Sequence, residues 1–161
     1  GMTGMGVHLT DLMIWLFGPV DKVFASTAKR ALKFKTGDVV TASLQHSSGL
    51  NTQITAILKT PHYQRVTIWG ENGWVELVDS SHPDTPGPSF MKIVMNDGTV
   101  KEENFEWTDT VSANIHNFID SIEGKSKYLF TDVEKFQNIS VLEAIYKSSL
   151  SKQNEKVESF N

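Results

Sequence analysis

Apolar residues recur at two different periods along this chain. Leu9, Leu12, Met13 and Leu16 repeat at helical spacing and Gly18-Pro19 supplies a stop signal, so the pattern predicts a helix from about Gly4 to Phe17. From Val20 to Trp107 the period becomes two. Val40, Ala42 and Leu44 alternate with Thr41, Ser43 and Gln45, and a Thr-rich alternation returns from Gln53 to Lys59. Ser48-Gly49, Asn72-Gly73 and Asp97-Gly98 mark tight turns, because such pairs reach positive φ at little cost. The result is an antiparallel meander of about seven strands. Ser80 to Ser89 holds three of the five prolines, which cannot donate to a sheet ladder, and is expected to leave the sheet as a loop.

Helical spacing returns near the end. Val111, Ile115, Phe118, Ile119 and Ile122 form an apolar stripe that stops at Gly124. Thr131 and Glu134 have the spacing of a capping box, opening a helix through about Lys152 whose broad apolar face is Phe136, Ile139, Leu142, Ile145, Tyr146 and Leu150. A short final strand is expected from Lys156 to Phe160. Helices at both ends of a run of strands predict an α+β domain over residues 1–161, a mainly antiparallel open sheet with the helices packed on one face. The other face would carry Thr41, Ser43, Gln45, Gln53, Thr55, Gln64 and Val66, with Ile57 and Ile68. Such a face can simply meet water, but one so weakly charged can also carry a subunit interface.

Composition narrows the functions open to this fold. A hydrophobic content of 39% with 21% charged residues is that of an ordinary globular chain. Net charge is -4, and the one basic run, Lys29, Arg30, Lys33 and Lys35, reads as a solvated strand end, so nucleic acid is not expected as a partner. The absence of cysteine fits a reducing compartment and a cytoplasmic location. No stretch approaches the roughly 20 apolar residues that cross a bilayer, and no signal peptide is seen. Gly1 before Met2 reads as the remnant of a cleaved tag.

Of the five histidines, His8 is the candidate for chemistry. It falls in the first turns of the first helix, where the helix N-terminus disfavours a positive imidazolium, and a neutral ring is the form a general base needs; the same facts fit a histidine that only packs at a helix start and bonds to backbone. Asp11 shares its helix face and can orient the ring or bond a substrate hydroxyl. The other four histidines sit at a strand end (His46), a strand entry (His62), the proline loop (His82) and a helix interior (His116), without metal-motif spacing, so no metal site is expected. Gly1, Gly4 and Gly6 do not make a dinucleotide fingerprint: no strand precedes them and Leu9 stands at the third glycine. Asn138-Ile139-Ser140 matches a glycosylation sequon but falls mid-helix.

The segment Gly6-Val7-His8-Leu9-Thr10-Asp11-Leu12, with Trp15-Leu16-Phe17-Gly18, resembles the G-x-H-x-x-D-x-x-x-x-L-x-G segment that opens the second domain of Gfo/Idh/MocA oxidoreductases. Asp38 through Gly49, Ile68-Trp69-Gly70-Glu71-Asn72-Gly73, Asn117 to Ile122 and Leu142-Glu143-Ala144-Ile145-Tyr146-Lys147-Ser148-Ser149 resemble later family segments in the same order. The resemblance implies a dehydrogenase C-terminal domain, like that of glyceraldehyde-3-phosphate dehydrogenase, from an NAD- or NADP-dependent enzyme acting on a sugar, polyol or related hydroxyl compound. It implies that His8 is the acid/base, that Asp11 contacts substrate, and that an N-terminal Rossmann domain outside this chain binds the cofactor. The chain alone is then expected to bind no nicotinamide nucleotide, to be inactive, and to form a homo-oligomer through its open sheet face. Many members carry an aspartate four residues before the histidine, where this sequence has Gly4, and the family's Glu-Lys-Pro lysine belongs to the cofactor domain. The Gly4 departure favours an alternative, a non-catalytic assembly or binding module of the same fold. A small stand-alone binding protein starting at Met2 is a third possibility.

Overall fold

The structure is a computed structural model and describes residues 6–33, 37–80, 82 and 85–159. Gly4, Lys35 and Phe160, which figure in the expectations above, lie outside the described residues. The elements run α1 (Val7–Phe17), β1 (Val20–Ala28), β2 (Val39–His46), β3 (Asn51–Ile57), β4 (Gln64–Gly70), β5 (Gly73–Asp79), β6 (Ser89–Met95), β7 (Val100–Phe105), α2 (Thr110–Ile122), α3 (Asp132–Ser151) and β8 (Glu155–Lys156). This is the expected α+β class, with all strand pairs antiparallel. The strands form two four-stranded sheets, ordered β3-β2-β1-β8 and β4-β5-β6-β7, in two compact units.

The first unit comprises residues 1–59 and 130–161. Its sheet obeys the period-two rule: Val23 and Ala25, then Val40, Ala42 and Leu44, then Ile54 and Ala56 all point to one buried face. Helix α3 covers that face along β1, and α1 packs on α3, adding Met13 and Ile14 to the core. Val157 closes the far edge, where its N–H donates to the Asp21 carbonyl and β8 pairs with β1. At the other end of β1, the buried carboxylate of Asp38 gathers the turn before it. Its oxygens accept from the backbone N–H groups of Arg30 (2.7 Å), Ala31 (2.6 Å) and Leu32 (2.8 Å).

The orientation of α3 corrects the expectation from the sequence. Phe136, Ile139, Tyr146 and Leu150 are exposed, and of the expected apolar face only Ile145 is fully buried. The helix buries Gln137, Asn138, Ser140, Val141, Ala144, Ile145, Ser148 and Ser149 instead. The physical reason is that each long-range polar contact is satisfied. Gln137 Nε2 donates to the Val20 carbonyl (3.0 Å), and Ser148 Oγ accepts from Ala25 N–H (2.9 Å) while donating to the Gln153 carbonyl (2.6 Å). Small residues beside these contacts let the helix lie close against β1.

The second unit, Thr60–Leu129, holds the meander β4 to β7. One face of this sheet carries Val66, Ile68, Val75, Leu77, Met91 and Ile93, while the other carries a cross-strand row Thr67, Glu76, Lys92 and Glu102. Gln64 and Val66, expected beside Thr41 and Thr55, therefore belong to a different sheet. The Asn72-Gly73 turn is as the sequence predicts, and Gly73 (φ 153°) is needed there: a Cβ would stand 2.2 Å from the Val94 carbonyl oxygen. Helix α2 is capped by Asp109, whose side chain accepts from Ser112 N–H at 2.9 Å. A second correction concerns its apolar stripe, Val111, Ile115, Phe118, Ile119 and Ile122, which stands exposed; α2 has no buried residue. Phe118 meets the Tyr128 ring edge-on, and Asn117 Oδ1 accepts from Leu129 N–H.

Candidate functional site

The two residues singled out by the sequence fall on the first turns of α1, where His8 is exposed and Asp11 is half-buried one turn on. What fixes this turn is a buried contact with α3 that the sequence did not reveal. Thr10, wholly buried, places its hydroxyl 2.5 Å from Asn138 Oδ1, to which it donates, and 3.0 Å from the Val7 carbonyl. Asn138 Nδ2 in turn donates to the Val7 carbonyl at 3.4 Å. The residues on either side of His8 are thus tied to a helix more than a hundred positions away. Asn138 is also the sequon asparagine, and its burial agrees with setting that motif aside.

Glu134, at the start of α3, completes the electrostatics. The capping box is present as the sequence predicts: Glu134 Oε2 accepts from the Thr131 N–H (2.8 Å) and hydroxyl (2.7 Å), and Glu134 N–H donates back to Thr131 Oγ1 (3.2 Å). The Thr131 hydroxyl, then the Thr131 backbone N–H, hold the Glu134 carboxyl below its ordinary range. Its negative charge reaches Asp11. Burial first, then Glu134, push the Asp11 carboxyl above its ordinary range, against a smaller opposing pull from His8. Two carboxylates are thus driven apart in proton affinity close to the exposed imidazole of His8.

The remaining histidines have other roles. His46 is buried against the edge of the Phe17 ring, its Nδ1 donating to the Gly18 carbonyl (2.8 Å) and its Nε2 accepting from the Thr52 hydroxyl (3.0 Å). That leaves both ring nitrogens occupied in holding the end of α1 to the sheet. His116 Nδ1 bonds the Ser112 carbonyl within α2, and His62 meets His82 edge-on. Among the described residues no group of three or more His, Cys, Asp or Glu is placed to hold a metal ion. None of the described helices is long and apolar enough to cross a membrane.

Several crystal structures share this fold. An aldose-aldose oxidoreductase from Caulobacter crescentus, solved with glycerol, aligns with a TM-score of 0.81 at 17% identity, covering 97% of this chain and 47% of that one. The WlbA dehydrogenase from Bordetella pertussis, in complex with NADH and UDP-GlcNAcA, aligns at 0.74 and 22% identity over 99% of this chain and 45% of that one. An oxidoreductase from Agrobacterium radiobacter, with NAD+, L-tartaric acid and magnesium, aligns at 0.76 and 16% identity over 97% and 48%. The chain therefore spans about half the length of the structures it resembles. No curated protein sequence matches it. Residues 2–158 match the model of the oxidoreductase family C-terminal alpha/beta domain, and the chain accordingly belongs to the Gfo/Idh/MocA oxidoreductases as their C-terminal domain.

Proposed function

We propose that this chain is the substrate-binding and assembly half of an NAD(P)-dependent oxidoreductase acting on a sugar, polyol or related hydroxyl compound. The observation that carries the reading is the pinned first turn of α1, which presents His8 to solvent beside an Asp11 of raised proton affinity. His8 accepts the hydroxyl proton of the substrate as its carbon is oxidised and returns it in the reverse direction, while Asp11 bonds a neighbouring hydroxyl. Nicotinamide, when bound, supplies the hydride acceptor or donor. The described strands pair only antiparallel and contain no strand, glycine turn and helix of the dinucleotide-binding kind, so the cofactor is assigned to a part of the protein outside this chain. That the aligned structures were solved with glycerol, UDP-GlcNAcA or L-tartaric acid supports a hydroxyl-bearing substrate.

The test is a His8→Asn substitution in the protein joined to its cofactor-binding part. Turnover should fall by about a hundredfold or more, as for loss of a positioned acid/base. Unchanged turnover across the pH range would show that the histidine only packs. Assembly is the second part of the reading. Phe24 and Ile57, each 46% exposed, lie among Thr and Gln side chains on the open face of the first sheet, which supports pairing with a second copy there. Light scattering should give at least twice the chain mass of 18.0 kDa, and a monomer would refute it.

A further inference from the structure

We infer that Glu134 is a positioning residue for the candidate site: locked by the Thr131 cap, it holds a fixed negative charge at the contact of α1 with α3 and acts on substrate binding through Asp11. The inference rests on the reading of Asp11 as the group that meets a substrate hydroxyl.

The placement follows from two helix repeats. Residues four apart on a helix lie one above the other on the same side. Val7 and Asp11 stand in that relation on α1, and Glu134 and Asn138 on α3. Asn138 is fastened to the first turn of α1: its Oδ1 accepts from the Thr10 hydroxyl, and its Nδ2 donates to the Val7 carbonyl. One turn further along α1 and one turn back along α3, about 5.4 Å away, the same packing brings Glu134 to the turn of Asp11. The Glu134 charge is accordingly felt at Asp11, second only to burial.

Glu134 is held in place as well as placed. Its Oε2 accepts from both the hydroxyl (2.7 Å) and the backbone N–H (2.8 Å) of Thr131, so the side chain cannot swing out to water without giving up the cap. The same two bonds favour its ionised form. The other titratable groups at this contact are accounted for. Asp132 and Lys135, on either side of Glu134, pair with each other at 2.6 Å. Strand β3, which α1 also meets, has no titratable residue, and His8, on the same helix as Asp11, exerts the smaller and opposite pull. An ionised Asp11 accepts a bond from a substrate hydroxyl, and protonation removes that acceptor. By making Asp11 harder to ionise, the fixed charge of Glu134 raises the pH at which the site gains its acceptor.

The experiment separates the charge of Glu134 from its cap. Glu134→Gln keeps the capping box, which takes either side chain at this position, and removes the charge, whereas Glu134→Ala removes both. Glu134→Gln should therefore melt above Glu134→Ala. Carboxyl-carbon NMR should show Asp11 titrating at lower pH in Glu134→Gln than in wild type. In the protein joined to its cofactor-binding part, the rise of substrate KM towards acid should begin at lower pH in Glu134→Gln, and this shift should vanish when Asp11→Asn is also present. An Asp11 titration that is the same in Glu134→Gln and wild type overturns the inference and leaves the reading of Asp11 intact. A titration that moves while the KM profile stays put overturns it through that reading, and a KM shift that persists with Asp11→Asn overturns it by showing that Glu134 acts through another group.

Discussion

Replacing Thr10 with valine keeps the shape of a wholly buried side chain and removes one hydroxyl. Asn138 Oδ1, at 2.5 Å from that hydroxyl, is then left buried, and no other described donor reaches it. Losing a buried hydrogen bond and stranding its acceptor costs about 2 kcal/mol. For a chain of 161 residues this lowers the melting temperature by about 4–8 °C. Asn138→Leu should cost less, because the Thr10 hydroxyl retains the Val7 carbonyl at 3.0 Å as an alternative acceptor. The double variant, which removes both partners, should cost less than the sum of the two single changes by about 1 kcal/mol. Urea denaturation followed by circular dichroism measures all three. The reasoning fails if Thr10→Val melts like the parent, if Asn138→Leu proves the more damaging, or if the two effects simply add.

Three further outcomes are expected. Asp38, held down to about 2 chiefly by the Arg30 N–H, contributes stability that is fully present above its ordinary value of 3.8 and is lost as pH falls through about 2. Asp38→Asn should therefore destabilise the chain at neutral pH, with the gap to wild type closing in acid melts; a gap that is constant with pH would count against it. Asp11 has a raised carboxyl, so the folded state favours its protonated form and stability falls as pH rises from 3.8 through the higher folded value. Asp11→Asn should then melt higher than wild type near pH 7 and converge with it in acid, and the reverse order would refute the assignment. Gly73→Ala should cost roughly 2 kcal/mol or more, since φ is 153° and the new Cβ meets the Val94 carbonyl at 2.2 Å. Gly98→Ala should cost less in the same urea melts, because nothing lies within 4 Å of its Cβ position and only the φ of 86° is unfavourable.

The legible parts of this fold are those written locally. The end of α1 at Gly18, the turns at Gly49, Gly73 and Gly98, and the Thr131–Glu134 capping box each depend on residues within a few positions, and all can be read from the chain. The orientation of α3 could not be read, because periodicity scores Phe136 and Ile139 as core and Asn138 and Ser148 as surface. Their burial is decided by partners on α1 and β1 far away in sequence. The division of the meander into two sheets was hidden for the same reason, since alternation shows which residues share a face but not which strands pair. At the candidate site, His8 and Asp11 came from one short segment. Thr10, although it lies between them, gave no local signal of its contact with Asn138, and Glu134 was recognisable only as a cap.

The first unit is assembled from both ends of the chain, with Thr60–Leu129 inserted between them. During synthesis β1, β2 and β3 emerge before the meander, but the helix that covers them and the strand that closes their edge are made after it. The meander β4 to β7 depends only on neighbouring strands and can form while the first sheet still lacks its cover. Closing so long a loop costs only slightly more entropy than closing a shorter one, since the penalty grows with the logarithm of length. The delay is thus a matter of order in time rather than of final stability. Until α3 arrives, the buried face of the first sheet is open to water and to other nascent chains, which makes the docking of α3 and β8 the step that protects the whole unit.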